Sequence, residues 1–139
     1  MEITRREALI GSLLPFLQLS GEGTALAQRS PAPNGTVFQH DLPNITLDDW
    51  QVNASVITLE PGNVGRAHRH PGFVLVYVLE GEVVAKVSGQ EQATYSAGQM
   101  FYEQPGSTHE VSRNASATKP AKFLALILAK KGLPLVTPA

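Results

Sequence analysis

The feature that most restricts the fold of this chain is the close spacing of its glycine and proline turn signals. Between them stand short runs rich in β-branched and aromatic residues, and none keeps the 3.6-residue period of an amphipathic helix over helical length. Turns that recur about every 8–12 residues are typical of a sandwich or barrel, so we predict an all-β fold. The runs that predict strands are 50–59, 73–79, 83–87, 90–95, 100–103, 110–112 and 123–128. Between the second and third of these, Glu80-Gly81-Glu82 predicts a hairpin.

Composition narrows the classes of function. A chain of 139 residues suits one domain that buries enough surface to fold without a disulfide or a metal. The absence of cysteine excludes disulfide frameworks, thiolate zinc sites, iron–sulfur ligation and cysteine nucleophiles. A formal net charge of −1 gives no reason to expect nucleic-acid binding, and no apolar stretch reaches the ~18 residues of a membrane helix. We therefore expect a small-molecule partner, with neither nucleic acid nor a membrane bound by the mature chain.

The first 27 residues have the pattern of an export signal. Arg5 and Arg6 precede a short apolar stretch, and Ala25-Leu26-Ala27 forms a small-residue cleavage box before Gln28. The opening segment resembles the twin-arginine consensus of bacterial signals, which implies a periplasmic or secreted protein. The alternative is an N-terminal amphipathic helix of the fold, against which Pro15 argues. We interpret residues 1–27 as the signal peptide, 28–35 as a flexible lead-in and 36–139 as the folded domain.

Among the side chains of the sequence, the histidines most strongly indicate a functional site. His68 and His70 are two residues apart in a strand-like run, so their imidazoles lie on the same face. His109 follows a second turn that leads into another strand, and neutral imidazoles suit first-row divalent metals. Alone, a His-x-His pair is more often structural than ligating. His40 stands apart near the start of the mature chain, where a surface histidine is the simpler interpretation.

Two stretches around these histidines resemble the two sequence motifs of the cupin superfamily. The first runs from Gly62 through five residues to His68-x-His70 and on to Gly81. The second runs from Gly98 through seven residues to Gly106, and then through two more to His109. The resemblance implies a double-stranded β-helix, or jelly-roll barrel, with one divalent metal held by His68, His70 and His109. Iron(II) is the favoured ion, with Mn, Ni, Cu and Zn as alternatives.

The departures from the cupin pattern are informative. Val74 occupies the position where the first motif usually carries a glutamate ligand, and Gln104 replaces the usual proline of the second. The asparagine expected four residues after the last histidine is Arg113, with Asn114 following it. The resemblance is therefore to three-histidine cupins, some of which are iron dioxygenases.

Three carboxylates are candidates to replace the missing glutamate ligand. Glu80 lies in a turn, and Glu110 should point away from His109 in a regular strand. Glu103 ends the strand that leads into the second motif, and we predict that it orients a histidine or receives a proton from outside the ligand set. The alternative is a surface charge at the end of a strand. Arg69 alternates with the histidines and is expected to face away.

The function that these features favour is a metal-dependent, dioxygenase-like oxidoreductase acting on a small chelating organic substrate. A non-catalytic periplasmic cupin that binds or senses a metal or a small ligand is the alternative, and a structural cupin holding zinc is a third. Small cupins are often homodimers, and unpaired strand edges readily pair. Residues 37–59 and the apolar tail 133–136 are the candidate contacts.

Overall fold

The computed structural model describes residues 34–139, and the predicted signal, its cleavage site and most of the lead-in lie outside the described residues. Within this range the chain forms nine strands. They are β1 (Trp50–Leu59), β2 (His68–Arg69), β3 (Phe73–Glu80), β4 (Glu82–Val87), β5 (Ala93–Ser96), β6 (Met100–Glu103), β7 (Thr108–Asn114), β8 (Ala121–Lys130) and β9 (Thr137–Pro138). No helix in this part of the chain is long and apolar enough to cross a membrane.

The strands form two antiparallel sheets, which confirms the all-β prediction. One sheet has the order β1-β8-β3-β6 and the other the order β5-β4-β7-β2-β9. Alternate residues of β3 and β8 point inward, so Val76, Val78 and Phe123 pack with Val83 of β4 and Phe101 of β6 in one core. The cavity described below is lined by residues of both sheets and by the segment that precedes β9.

The predicted hairpin at Gly81 is wrong. Strand β3 belongs to the four-stranded sheet and β4 to the five-stranded one, so the chain passes from one sheet to the other at this corner. Gly81 has φ of 70°, and a Cβ there would lie 2.9 Å from the carbonyl oxygen of Pro120. A turn within one sheet and a turn between two sheets have the same sequence pattern, because both need a residue with positive φ between two apolar runs.

Two very short strands position the first histidines: β2 lies in the strand-like run assigned to His68 and His70, whereas β9 was not predicted. Strand β2 pairs with β7 on one side and with β9 on the other, and the register sets His68 directly opposite His109. Beyond the end of β2, the amide of Gly106 donates to the carbonyl oxygen of His70. Two residues are too few for a periodic pattern, so these strands form through their neighbours rather than through their own sequence.

A bulge in β7 accounts for the displaced asparagine of the second motif. Lys86 pairs with Val111 and Val87 with His109, which leaves Glu110 as an extra residue on β7. Both His109 and Asn114 are consequently buried on the inner side. The Asn114 side-chain nitrogen donates to the carbonyl oxygens of Leu59 at 3.0 Å and Lys119 at 2.8 Å. The extra residue thus returns an asparagine to the interior one position later in the chain.

Candidate metal centre

The structure brings the three predicted histidines together on the five-stranded sheet, where they all line one cavity. Because His68 is paired with His109, their side chains share one face, and His70 follows two residues later on the same side. The ring centroid of His68 lies 4.9 Å from that of His70 and 5.1 Å from that of His109. The cluster is therefore built by the register of β2 against β7.

Backbone carbonyls orient two of these rings. Nδ1 of His68 lies 2.8 Å from the carbonyl oxygen of Arg66, and Nδ1 of His70 lies 2.6 Å from that of Leu135. A carbonyl only accepts, so each Nδ1 carries the proton and donates it, which leaves the Nε2 lone pair free. Burial lowers the pKa of His70, which favours this neutral form at neutral pH.

Glu103 enters the same space from the opposite sheet. Its side chain is buried, with Oε1 at 3.2 Å from Nδ1 of His109 and Oε2 at 3.9 Å from Nε2 of His70. Strand pairing sets Glu103 directly opposite Val74, the residue that stands where the first motif usually has its glutamate. The position is that of a group facing the histidines rather than of a surface charge, and its role stays a prediction.

Two buried polar atoms of the cluster have no hydrogen-bond partner, namely Oε2 of Glu103 and Nε2 of His109. Buried polar atoms without partners are uncommon, and at functional sites they often face an ion or a ligand. Imidazole nitrogen and carboxylate oxygen are both donors to first-row divalent metals, so the residues fit such an ion in their chemistry. In the described part of the chain, however, no three such side chains already have their donor atoms arranged around one point. The side chains would have to rotate to hold the ion.

The cluster closes the polar end of a cavity of about 350 Å³. Most of the remaining wall is apolar, and it is built from both sheets and the C-terminal segment. Its apolar residues are Ile57, Leu59, Val74, Val76, Phe123, Ala125, Ile127, Leu135 and Val136. Such a space suits a small organic ligand with one polar end directed at the histidines.

The other candidate polar residues of the sequence lie away from the cluster. His40 is exposed and packs on Tyr102 in a tilted arrangement, with ring centroids 4.1 Å apart. Glu80 pairs with Lys122 at 2.9 Å and Glu110 with Lys86 at 2.6 Å, both partly or fully exposed pairs. Nε of Arg69 donates to Thr108 outside the cavity. None of these residues lines the cavity.

One group of the site, the backbone carbonyl of Leu135, could not be predicted from the sequence. The carbonyl oxygen of Leu135 fixes the ring of His70 from 65 positions further along the chain. A backbone carbonyl is present at every residue, so its selection depends on where β9 pairs and not on the side chain that the sequence displays. The apolar character of this segment predicts a contact with a second copy and gives no indication of a role in the site.

Comparison with known proteins is consistent with this geometry. The family model described as the cupin domain matches residues 55–127. No curated protein sequence matches the chain significantly. Among solved structures, the chain is similar to the DMSP lyase DddQ of Ruegeria pomeroyi, with 19% identity over 63% of this chain and 43% of that chain, at a TM-score of 0.55.

Two further solved structures have a similar fold. A Klebsiella pneumoniae protein described by its double-stranded beta-helix domain is 21% identical over 63% of this chain and 74% of that one, at a TM-score of 0.54. A mutant form of Bacillus subtilis oxalate decarboxylase is 22% identical over 63% of this chain and 23% of that one, at a TM-score of 0.53. At these identities the likeness concerns the fold, and the match spans less than half the length of the lyase and of the decarboxylase.

Proposed function

Because the chain belongs to the cupin family, we propose that it is a metal-dependent oxidoreductase of the dioxygenase type, acting on a small chelating organic compound. The observation that supports this most is the placement of three histidines at the polar end of an otherwise apolar cavity. Three protein ligands leave coordination positions for a substrate and for oxygen, as metal-assisted oxidation requires.

His68, His70 and His109 would hold the ion, and iron(II) is the favoured one. When bound, the metal would supply a Lewis-acidic, redox-active centre for a substrate with two adjacent oxygen donors. The carbonyl oxygens of Arg66 and Leu135 orient two of the rings. The apolar wall removes water from the bound compound and so strengthens its polar contacts at the histidine end.

Metal content and oxygen consumption together test this proposal. The protein is purified without oxygen, its metals are quantified, and oxygen uptake is followed with diketones, flavonols and catechol-like compounds. Iron(II) and Mn(II) are both used for reconstitution, since a solved structure of Bacillus subtilis oxalate decarboxylase is described by its Mn(II) centres. Oxygen uptake that depends on the added metal and on one of these compounds is the expected result. Tightly bound zinc without any uptake would contradict it.

A non-catalytic binding protein for a metal or a small ligand is the second candidate. What favours it is the scarcity of polar groups in the cavity wall. Apart from the histidines and Glu103, the polar lining residues in residues 34–139 are Ser55 and Ser112. A binding protein of this kind would change its stability with ligand while consuming none, and equilibrium binding without turnover would distinguish it.

A homodimer is the expected assembly. Strand β1 is at an edge of its sheet, and no strand of the described residues pairs with its outer side. Val52 and Val56 on its outward face are 60% and 61% exposed, which favours burial against a second copy. Light scattering at micromolar concentration should give twice the mass of one chain. Lysine at both valines should give monomers, whereas Val64→Lys, at a residue 69% exposed outside the strands, should not. A wild-type monomer would contradict the prediction.

Export of a folded, metal-loaded protein to the bacterial periplasm, with cleavage between Ala27 and Gln28, is proposed from the signal alone. The twin-arginine route carries folded proteins, so the cytoplasm would choose the metal. This matters because free affinities favour Cu and Zn over Fe and Mn. Replacing Arg5 and Arg6 together by lysine should leave uncleaved precursor in the cytoplasm. Efficient export of that variant, seen by fractionation, would favour the general secretory route instead.

A further inference from the structure

We propose that Glu103 is itself a ligand of the metal, supplying from β6 the carboxylate that Val74 cannot supply from β3. The inference rests on the metal site of the proposed function. It replaces a three-histidine site, in which Glu103 only orients a ring, by a site with three imidazoles and one carboxylate.

Strand register places the two positions at the same point of the barrel. Val74 and Glu103 are direct partners in the antiparallel pairing of β3 with β6. Side chains of direct partners point to the same face with Cβ atoms about 5 Å apart, so a carboxylate at either position reaches the same space. Both residues line the cavity that the histidines close. The acidic side chain that the first motif usually has at the position of Val74 is therefore present on the neighbouring strand, at Glu103, and still faces the site.

Charge gives an independent reason for a cation beside Glu103. The side chain is 3% exposed, and among the described residues its partners within salt-bridge distance are His70 and His109, with no lysine or arginine. Glu80 and Glu110, by contrast, are paired with lysines in more exposed positions. A buried carboxylate needs a compensating charge, and a divalent ion held by the neighbouring imidazoles supplies it.

The unpartnered oxygen points to the same conclusion. Oε1 of Glu103 faces His109, whereas Oε2 is buried without a hydrogen-bond partner and lies on the side of His70. Nδ1 of His70 is already committed to Leu135, so it is the free Nε2 that faces this oxygen. An oxygen donor in the set favours Mn(II) and Fe(II) relative to softer ions, and it reduces the net charge of the loaded centre by one.

Mn(II) is the probe for the test, since it reports both affinity and bound water. We would compare the wild type, Glu103→Gln, Glu103→Val and the transposed variant Val74→Glu/Glu103→Val. Electron paramagnetic resonance of free Mn(II) gives the dissociation constant, and water proton relaxation gives the number of waters on the bound ion. Glu110→Gln is the matched control, because it removes an exposed carboxylate next to His109.

Glu103→Gln is expected to weaken Mn(II) binding by about 10- to 100-fold or more and to add one water to the bound ion. The transposed variant should recover most of the affinity lost in Glu103→Val and return the water number to that of the wild type. The control should match the wild type in both quantities. Should Glu103→Gln not fold, the transposed variant decides on the same two readouts.

An unchanged water number in Glu103→Gln would overturn the inference even if affinity falls, because Glu103 would then only position His109. Failure of the transposed variant to recover affinity would overturn it as well. These results leave the proposed function intact. A wild-type protein that binds no divalent metal would instead refute the metal site of the proposed function, and this inference with it.

Discussion

Alanine at His68, His70 and His109 together should abolish metal binding while the β-fold persists. Each single replacement should weaken binding by more than about 100-fold, since even residues that only orient a ligand contribute about 10- to 100-fold. The fold should survive because the central apolar cluster is built from β1, β3, β4, β6 and β8 and contains none of the three histidines. A core of this size does not depend on a metal.

Metal content by mass spectrometry and far-ultraviolet circular dichroism measure the two parts of this prediction. His40→Ala is the control, because His40 is exposed and packs on Tyr102 away from the cavity. It should retain the wild-type metal content. Full metal occupancy in the triple variant would show that the three histidines are not the ligands.

The second large effect is expected at Gly72, between the His-x-His pair and β3. A Cβ at this position would lie 1.7 Å from the carbonyl oxygen of Leu128 and 2.9 Å from the Cα of Ala129. Both are backbone atoms of β8, so the clash can be relieved only by separating β3 from β8 near the Phe73–Leu128 pair. Gly72→Ala should lower the free energy of unfolding by about 3–4 kcal/mol.

Thermal and urea unfolding would measure this loss. For a domain of about 100 residues each kcal/mol lowers the Tm by about 4–8 °C, so a decrease of at least about 12 °C is expected. Gly106→Ala is the matched control. Its φ is 71° and its Cβ would meet nothing within 4 Å, so only the backbone cost of about 1 kcal/mol applies. Equal stability losses in the two variants would contradict the steric explanation.

The parts of the fold that the sequence predicted are those that depend on local patterns. Strand β1 has the predicted bounds, since the residues of 50–59 alternate in polarity and end at Glu60-Pro61-Gly62. The corner at Gly81 was misassigned because a turn signal does not say which sheet the next strand enters. Strand β9 escaped prediction because it has two residues and depends on pairing with the distant β2, whereas β2 was expected as the strand-like run that carries the histidines.

The site was predictable to a similar extent. Motif spacing singled out the three histidines that the structure brings together, and Glu103 was singled out by its place before the second motif. The pairing of Glu103 with Val74 could not be predicted from the sequence. It arises from the register of β3 against β6, and no local pattern encodes a pairing across more than 20 residues. The displaced Asn114 looked like a departure from the motif until the bulge at Glu110 explained it.

The hydrogen bond between His70 and the carbonyl oxygen of Leu135 also has a consequence for when the site forms during synthesis of the chain. The ribosome adds about 5–20 residues per second. Leu135 lies 65 residues after His70, so it is synthesised about 3–13 s later. During that interval the ring of His70 lacks the carbonyl acceptor that fixes its tautomer in the folded protein, whereas the acceptor of His68 is already present at Arg66. The ring of His70 is therefore fixed only after the C-terminal segment has been synthesised and β9 has paired with β2, so the site is completed late in folding.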